Sequence, residues 1–184
     1  QHGGAADDGD IDFANKVNNT KNGIALAGTL LIVCGTDDSH DHTQQHAAKK
    51  GVMLAFENLR KAGNLAYIVD RYEHVDNVGF CYDFGHRFCY TPTIEWADIF
   101  REKTITTHIH DNFGIKEKYE EATDLHLLPF DGSIDYSKIM KKLNEYNYGG
   151  ALVLEVFKSA KSPVSNEDYL ADCYSRVKKI SEMQ

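Results

Sequence analysis

No apolar run in this 184-residue chain approaches the roughly 20 residues that a membrane-spanning helix needs. No membrane partner is therefore expected. Gln1 to Asp10 lacks both the basic start and the apolar core of a signal peptide, and its Gly, Ala and Asp residues show no periodicity, which predicts a frayed end. An excess of basic residues is missing as well. Twenty Lys and Arg stand against 28 Asp and Glu, a formal net charge of −8, and no basic block stands out, so an electrostatic grip on nucleic-acid phosphates is not expected. A small polar substrate suits this balance better. Cysteines 34, 81, 89 and 173 form no Cys-x-x-Cys pair and no small-scaffold spacing, and two of them lie inside apolar runs, which predicts reduced thiols in a cytoplasmic protein. The chain is also short of the roughly 250 residues of a complete eight-stranded β/α barrel, although it can bury the core of one domain.

Short strand-like runs that end in polar residues are abundant. Val78 to Tyr82 runs into Asp83-Phe84-Gly85-His86, Val52 to Phe56 into Glu57-Asn58, Ile105 to Thr107 into His108-Ile109-His110-Asp111, and Ala151 to Leu154 into Glu155. Apolar runs of this length predict strands buried on both faces, as in a parallel sheet. Thr29 to Cys34 is the first clear strand. Helices are expected between the strands: a short one through His46 capped by Asp37 or Asp38, Asn64 to Tyr72, one from Thr93 through Phe100, one capped by Asp135 with Ile134 and Ile139 as a hydrophobic staple and Gly149 or Gly150 at its end, and one from Ser165 with Leu170, Cys173, Tyr174, Val177 and Ile180 as its inner stripe. The alternation predicts an α/β protein, a parallel β/α barrel of the TIM type with about five βα units and its N-terminal strands missing. Residues 29–184 are assigned to this partial barrel, and residues 1–28 to a partly disordered segment with a possible helix from Ile11 towards Thr20. No linker or second domain is expected.

Four strand ends offering Glu57, Asp83, His108 and Glu155 form a convergent set for one divalent ion. Three carboxylates and one imidazole suit Mn²⁺, Mg²⁺ or Co²⁺ and leave positions open to substrate oxygens. A metal chelating a hydroxyl and an adjacent carbonyl stabilises the enediolate formed when the proton between them is removed, and Glu57 and Glu155 are placed to take and return that proton. Each acid taken singly is as well explained as a helix cap or an ion-pair partner; the set of four is what points to a metal. His86 is expected either to orient a substrate hydroxyl or to bind a second metal. Asp124 and His126, in a long connection from Asn112 to Gly132, are expected to join it at that metal, to touch substrate, or to organise the loop. Strand alternation predicts that His110 points away from His108, towards the helices. His40, His42 and His46 read as the polar face of a connecting helix, and Cys34 as a small buried residue.

From about Thr29 onwards the chain resembles the xylose isomerase-like TIM-barrel superfamily of sugar and sugar-phosphate isomerases and epimerases, which also includes endonuclease IV. The resemblance rests on Glu57-Asn58-Leu59, Gly79 to His86, His108 to Asn112, Asp124-Leu125-His126, Phe130 to Asp135 and Leu154-Glu155. For epimerase-like members it implies one divalent metal on Glu57, Asp83, His108 and Glu155, proton transfer by the two glutamates, and substrate contact by His86. For endonuclease-like members it implies a Zn²⁺ cluster that also uses His86, Asp124 and His126 and cleaves a phosphodiester at an abasic site. The shortened front implies a third outcome, an inactive barrel that binds metal or sugar, and exposed sheet edges suited to a homo-oligomer or to a partner that completes the barrel.

Overall fold

The computed structural model describes residues 30–33, 40–115 and 123–183. The expected helix at residues 11–20, the strand end at Cys34 and the caps Asp37 and Asp38 lie outside the described residues, as do the side chains of His40 and His42. Five strands alternate with helices in the order β1 (Leu30–Val33), α1 (His40–Lys49), β2 (Met53–Glu57), α2 (Ala62–Arg71), β3 (Val78–Asp83), α3 (Phe84–Tyr90), α4 (Trp96–Phe100), a 3-10 turn (Arg101–Lys103), β4 (Thr104–Ile109), α5 (Tyr136–Glu145), β5 (Ala151–Leu154) and α6 (Asn166–Ser181). The sheet runs β1-β2-β3-β4-β5, and every neighbouring pair is parallel. Spatial order follows chain order without reversal, so crossovers of one hand place the helices on one face. That is the winding of a β/α barrel sector rather than of a doubly wound open sheet.

The two faces of the sheet carry different residues. Leu54 and Phe56 of β2, with Phe80 and Tyr82 of β3, join Leu65 and Ile68 of α2 and Trp96 and Phe100 of α4 in the main core. Phe80 lies 4.7 Å from Phe100 and 6.1 Å from Trp96 between ring centroids. The alternate residues are small or polar. Ala55 pairs with Gly79, Glu57 with Cys81, Cys81 with Thr106 and Asp83 with His108. A bulge in the β3–β4 pairing inserts Ile105 between Thr104 and Thr106, which brings His108 level with Asp83. Large side chains thus wedge the helices against one face, while the other is left for the strand-end polar groups.

Several element ends differ from the sequence expectation. The helix expected from Thr93 begins at Trp96 with Glu95 at its N-cap; Ile94 N–H bonds instead to the Thr91 carbonyl in a turn around Pro92. His86 lies in the first turn of α3. Ile134 and Ile139 are both buried beside the Asp135 cap of α5, but that helix ends at Glu145 with Tyr146 as its C-cap, followed by Asn147 at φ 55° rather than by a glycine. On α6, Cys173 and Ile180 are buried whereas Leu170 and Tyr174 are 65% and 68% exposed. The helix rests on β5 and α5 at the end of the sheet, so among the described residues nothing covers the outer part of its stripe. No helix among them is long and apolar enough to cross a membrane.

Candidate metal centre

Each central strand delivers its polar group at its C-terminal end, and local hydrogen bonds hold the ends in register. Asp83 closes β3 and caps α3, accepting from the His86 N–H at 2.7 Å. Beside it, the Asn58 side chain accepts from Asp83 N–H at 2.8 Å and donates to the Asp83 carbonyl at 2.9 Å, which fastens the tip of β2 to the tip of β3. Glu57 therefore stands beside Asp83 with both backbones fixed. Ligand atoms of Glu57, Asp83, His108 and Glu155 all lie within 4.8 Å of one another. His108 Nδ1 is 3.0 Å from Glu57 Oε1, 3.1 Å from Glu155 Oε2 and 3.9 Å from Asp83 Oδ2.

A second group adjoins the first. His86, His110, Asp124 and His126 also present ligand atoms within 4.8 Å of one another. His86 links the two groups: Nδ1 lies 3.3 Å from Glu57 Oε1 and 3.4 Å from Asp83 Oδ2, and Nε2 3.2 Å from Asp124 Oδ2. The expectation that His110 points towards the helices is overturned. Its Nε2 lies 3.2 Å from Asp83 Oδ1, and its ring stacks on His126 at 4.0 Å. Strand pairing ends at Ile109, so the alternation that separates His108 from Ile109 does not extend to residue 110. Gly85 makes room for the ring, because a Cβ there would lie 2.0 Å from His110 Cε1.

The long connection is held by Asp111, a residue sequence reasoning passed over. Its Oδ1 accepts from Asn112 N–H at 2.8 Å and Ile134 N–H at 3.1 Å, and its Oδ2 from Phe130 N–H at 2.9 Å. A two-way backbone bridge joins Asp111 to Leu127, and Gly132 passes so close that a Cβ would meet Asp111 Oδ1 at 2.3 Å. The signal available in the sequence was an acid and an amide directly after a strand, with glycine at the far end of the loop. Held this way, the connection presents Asp124 and His126 to the sheet. His126 Nδ1 must donate to the Glu155 carbonyl, 2.8 Å away, so in the neutral ring Nε2 keeps the lone pair, 3.3 Å from Asp124 Oδ1.

The electrostatics suit a cation. Burial alone would lower the basicity of His86 and His108. The carboxylates of Asp124 and Glu57 beside His86, with the charge of Asp83, outweigh it and bring that imidazole up to about 10. Glu155 and Glu57 do the same for His108, also to about 10. Burial raises the Asp83 carboxyl, opposed by His110 and His86. Burial also works against the charge of Asp124, but His86 and the neighbouring imidazoles hold that acid down at about 2, and His108 likewise holds Glu155 below the usual range. A field that retains protons on two buried imidazoles is one that attracts a divalent ion. The satisfaction of buried polar atoms points the same way. Of nine buried side-chain polar atoms without a hydrogen-bond partner among the described residues, six belong to this cluster: Asp83 Oδ2, His86 Nδ1, both ring nitrogens of His110, Asp124 Oδ1 and Glu155 Oε2. Such atoms are costly unless something coordinates them. These residues fit a divalent metal, in an oxygen-rich set beside a nitrogen-rich one.

His46, by contrast, is exposed on α1. Cys81, Cys89 and Cys173 are buried, and Cys81 sits beside Glu57 and His108.

Comparison with known proteins places this geometry. A family profile described as xylose isomerase-like TIM barrel matches residues 41–175. The uncharacterized protein y4fM of Sinorhizobium fredii is 33% identical over 152 residues, covering 79% of this chain and 46% of that protein. Among solved structures, the IolI protein with a bound zinc atom superposes with a TM-score of 0.64 at 18% identity, covering 83% of this chain and 62% of the other. The 3-keto-D-glucoside 4-epimerase YcjR from E. coli gives 0.59 at 18% identity, covering 77% and 51%. The chain thus spans about half the length of the relatives it matches. Its profile match, its consecutive parallel strands and their shared end all agree: the chain belongs to the xylose isomerase-like TIM-barrel family.

Proposed function

We propose that this chain carries the metal-binding part of a sugar or sugar-phosphate isomerase or epimerase that works by proton transfer next to a carbonyl. The observation that supports this reading above others is the meeting of Glu57, Asp83, His108 and Glu155 within 4.8 Å at the ends of four consecutive strands. A divalent cation held there would supply Lewis-acid polarisation of substrate oxygens. The two glutamates approach His108 with comparable spacings, 3.0 and 3.1 Å, yet differ in access to water: the Glu57 side chain is 1% exposed and that of Glu155 33%. Glu57 is suited to hold a proton away from solvent, and Glu155 to exchange one with water, so a proton taken by one and returned by the other inverts or relocates the reacting centre. His86, between both groups, orients a substrate hydroxyl. The test is washout of deuterium from the carbon adjacent to the carbonyl in a panel of ketoses and ketose phosphates, with Mn²⁺-loaded protein. Washout that falls at least about a hundredfold in Glu155→Gln is expected; a loaded wild-type protein that exchanges label from none of the panel sinks the reading.

One observation favours a second reading. The nitrogen-rich group of His86, His110, Asp124 and His126 suits Zn²⁺ better than Mg²⁺, and two adjacent ions are the arrangement of phosphodiester hydrolysis. Two or more zinc ions per chain together with cleavage of an abasic-site duplex would replace the isomerase by an endonuclease IV-like enzyme. One ion per chain with no cleavage excludes it.

A further inference from the structure

Beside the metal centre, a cavity of about 370 Å³ is lined by Glu57, His86 and Asp124 together with Arg60, Lys61 and Tyr90. Its size is that of a small-molecule site. Its lining thus holds both acids and cations. Arg60 is held in place: its guanidinium lies 4.5 Å from the centre of the Tyr90 ring and donates to the Tyr90 hydroxyl at 2.9 Å. That hydroxyl in turn donates to Asp124 Oδ2 at 3.0 Å. The arginine is thereby linked through one tyrosine to the acid that His86 grips.

Among the described residues, no carboxylate lies within ion-pair distance of Arg60 or Lys61. Arg87, Lys142 and Arg176, by contrast, pair with Glu95, with Asp98, and with Asp131 and Asp172. Two adjacent cations without an acid, one of them already oriented on an aromatic face, form a preorganised oxyanion site, since a guanidinium matches phosphate and carboxylate geometry and loses little freedom on binding when it is already held. They also meet an electrostatic need. Three carboxylates around one divalent ion leave a net negative charge, so a substrate with an anionic tail is repelled from the metal centre unless cations receive that tail elsewhere.

From the juxtaposition of candidate metal-ligating acids and cations without an acid partner in the lining of one cavity, we infer that the substrate is an acidic sugar, with its hydroxyl and carbonyl groups towards the metal centre and a phosphate or carboxylate on Arg60 and Lys61. This rests on the isomerase or epimerase reading for the metal centre, and its test does not depend on turnover. Wild-type protein, Arg60→Gln and Lys61→Gln are titrated calorimetrically, with saturating Mg²⁺, against inorganic phosphate, acetate, D-fructose 6-phosphate, D-glucuronate and neutral D-fructose. Arg60→Gln should weaken the phosphate-bearing probes by about tenfold or more, the equivalent of one charge-assisted hydrogen bond, with a smaller loss in Lys61→Gln and no change for D-fructose. Loss confined to acetate and D-glucuronate identifies the tail as a carboxylate; loss confined to inorganic phosphate and D-fructose 6-phosphate identifies it as a phosphate ester. Anion affinities that are absent or unaltered by Arg60→Gln, or a D-fructose affinity that falls equally, overturn the inference. A failed deuterium washout with an intact Arg60-dependent anion affinity would instead remove the isomerase reading and leave the oxyanion site standing.

Discussion

At the level of single residues, Asp83 does two separable things: one oxygen caps α3 and the other faces the cluster. Asp83→Asn keeps an oxygen for the cap and removes the charge, so metal affinity, measured by competition with a chromophoric chelator, should fall at least about tenfold with the unfolding midpoint little lowered. Asp83→Ala should lose the metal and an additional ~1 kcal/mol of stability with the cap. Gly85 tests His110. Because a Cβ at 85 would overlap the imidazole, Gly85→Ala should destabilise the fold by about 1–3 kcal/mol in denaturant unfolding. Unchanged stability would mean that His110 has another place to go. The meeting of Glu57, Asp83, His108 and Glu155 was legible in the sequence because a buried parallel strand can place a charged group only where it ends. His110 was not, because a period of two holds only while pairing lasts, and nothing local marks Ile109 as its last residue.

At the level of elements, the tips of β2 and β3 are joined through one side chain. Asn58→Ala removes both of its bonds to the Asp83 backbone and leaves a buried N–H and carbonyl unpaired, at a cost of about 1–3 kcal/mol in chemical denaturation; Asn58 is not among the ligands, so a loss of metal affinity in the same variant would report on the placement of Glu57 and Asp83. Strands and caps such as Asp135 and Ser165 could be read from the sequence, since each depends on neighbours a few residues away. Ser165 Oγ accepts from Asp168 N–H at 3.0 Å, as a cap should. The inner stripe of α6 could not. Periodicity assigns a face to Leu170 and Tyr174, but burial requires something for that face to meet, and α6 lies where the described sheet stops. The turn around Pro92 likewise displaced the start of α4, because Thr91, not Thr93, receives the local bonds, including that of the Trp96 indole at 2.8 Å.

At the level of the molecule, the candidate ligands come from four different βα units, so binding of a cation by all four would link it to folding. An ion that binds the folded chain and not the unfolded one raises the unfolding midpoint, by about 2.7 kcal/mol of stability at a hundred times its dissociation constant. A chelator should therefore lower the midpoint seen by calorimetry, and stoichiometric Mn²⁺ or Zn²⁺ should restore it; a midpoint indifferent to both would show that the cluster holds no ion. The five-unit winding was legible from the alternation of elements, but the meeting of two ligand groups was not, because it depends on how the connection from Asn112 to Gly132 folds back onto Asp111.

The unreversed order of the strands has a mechanical consequence. A cation shared by Glu57, Asp83, His108 and Glu155 would act as a clasp on four consecutive repeats. With the clasp closed, amide protons near Glu57, Asp83, His108 and the base of Glu155 should slow in concert. Opening it should release them together, so that loosening spreads sideways across the sheet from the metal rather than inward from either end of the chain.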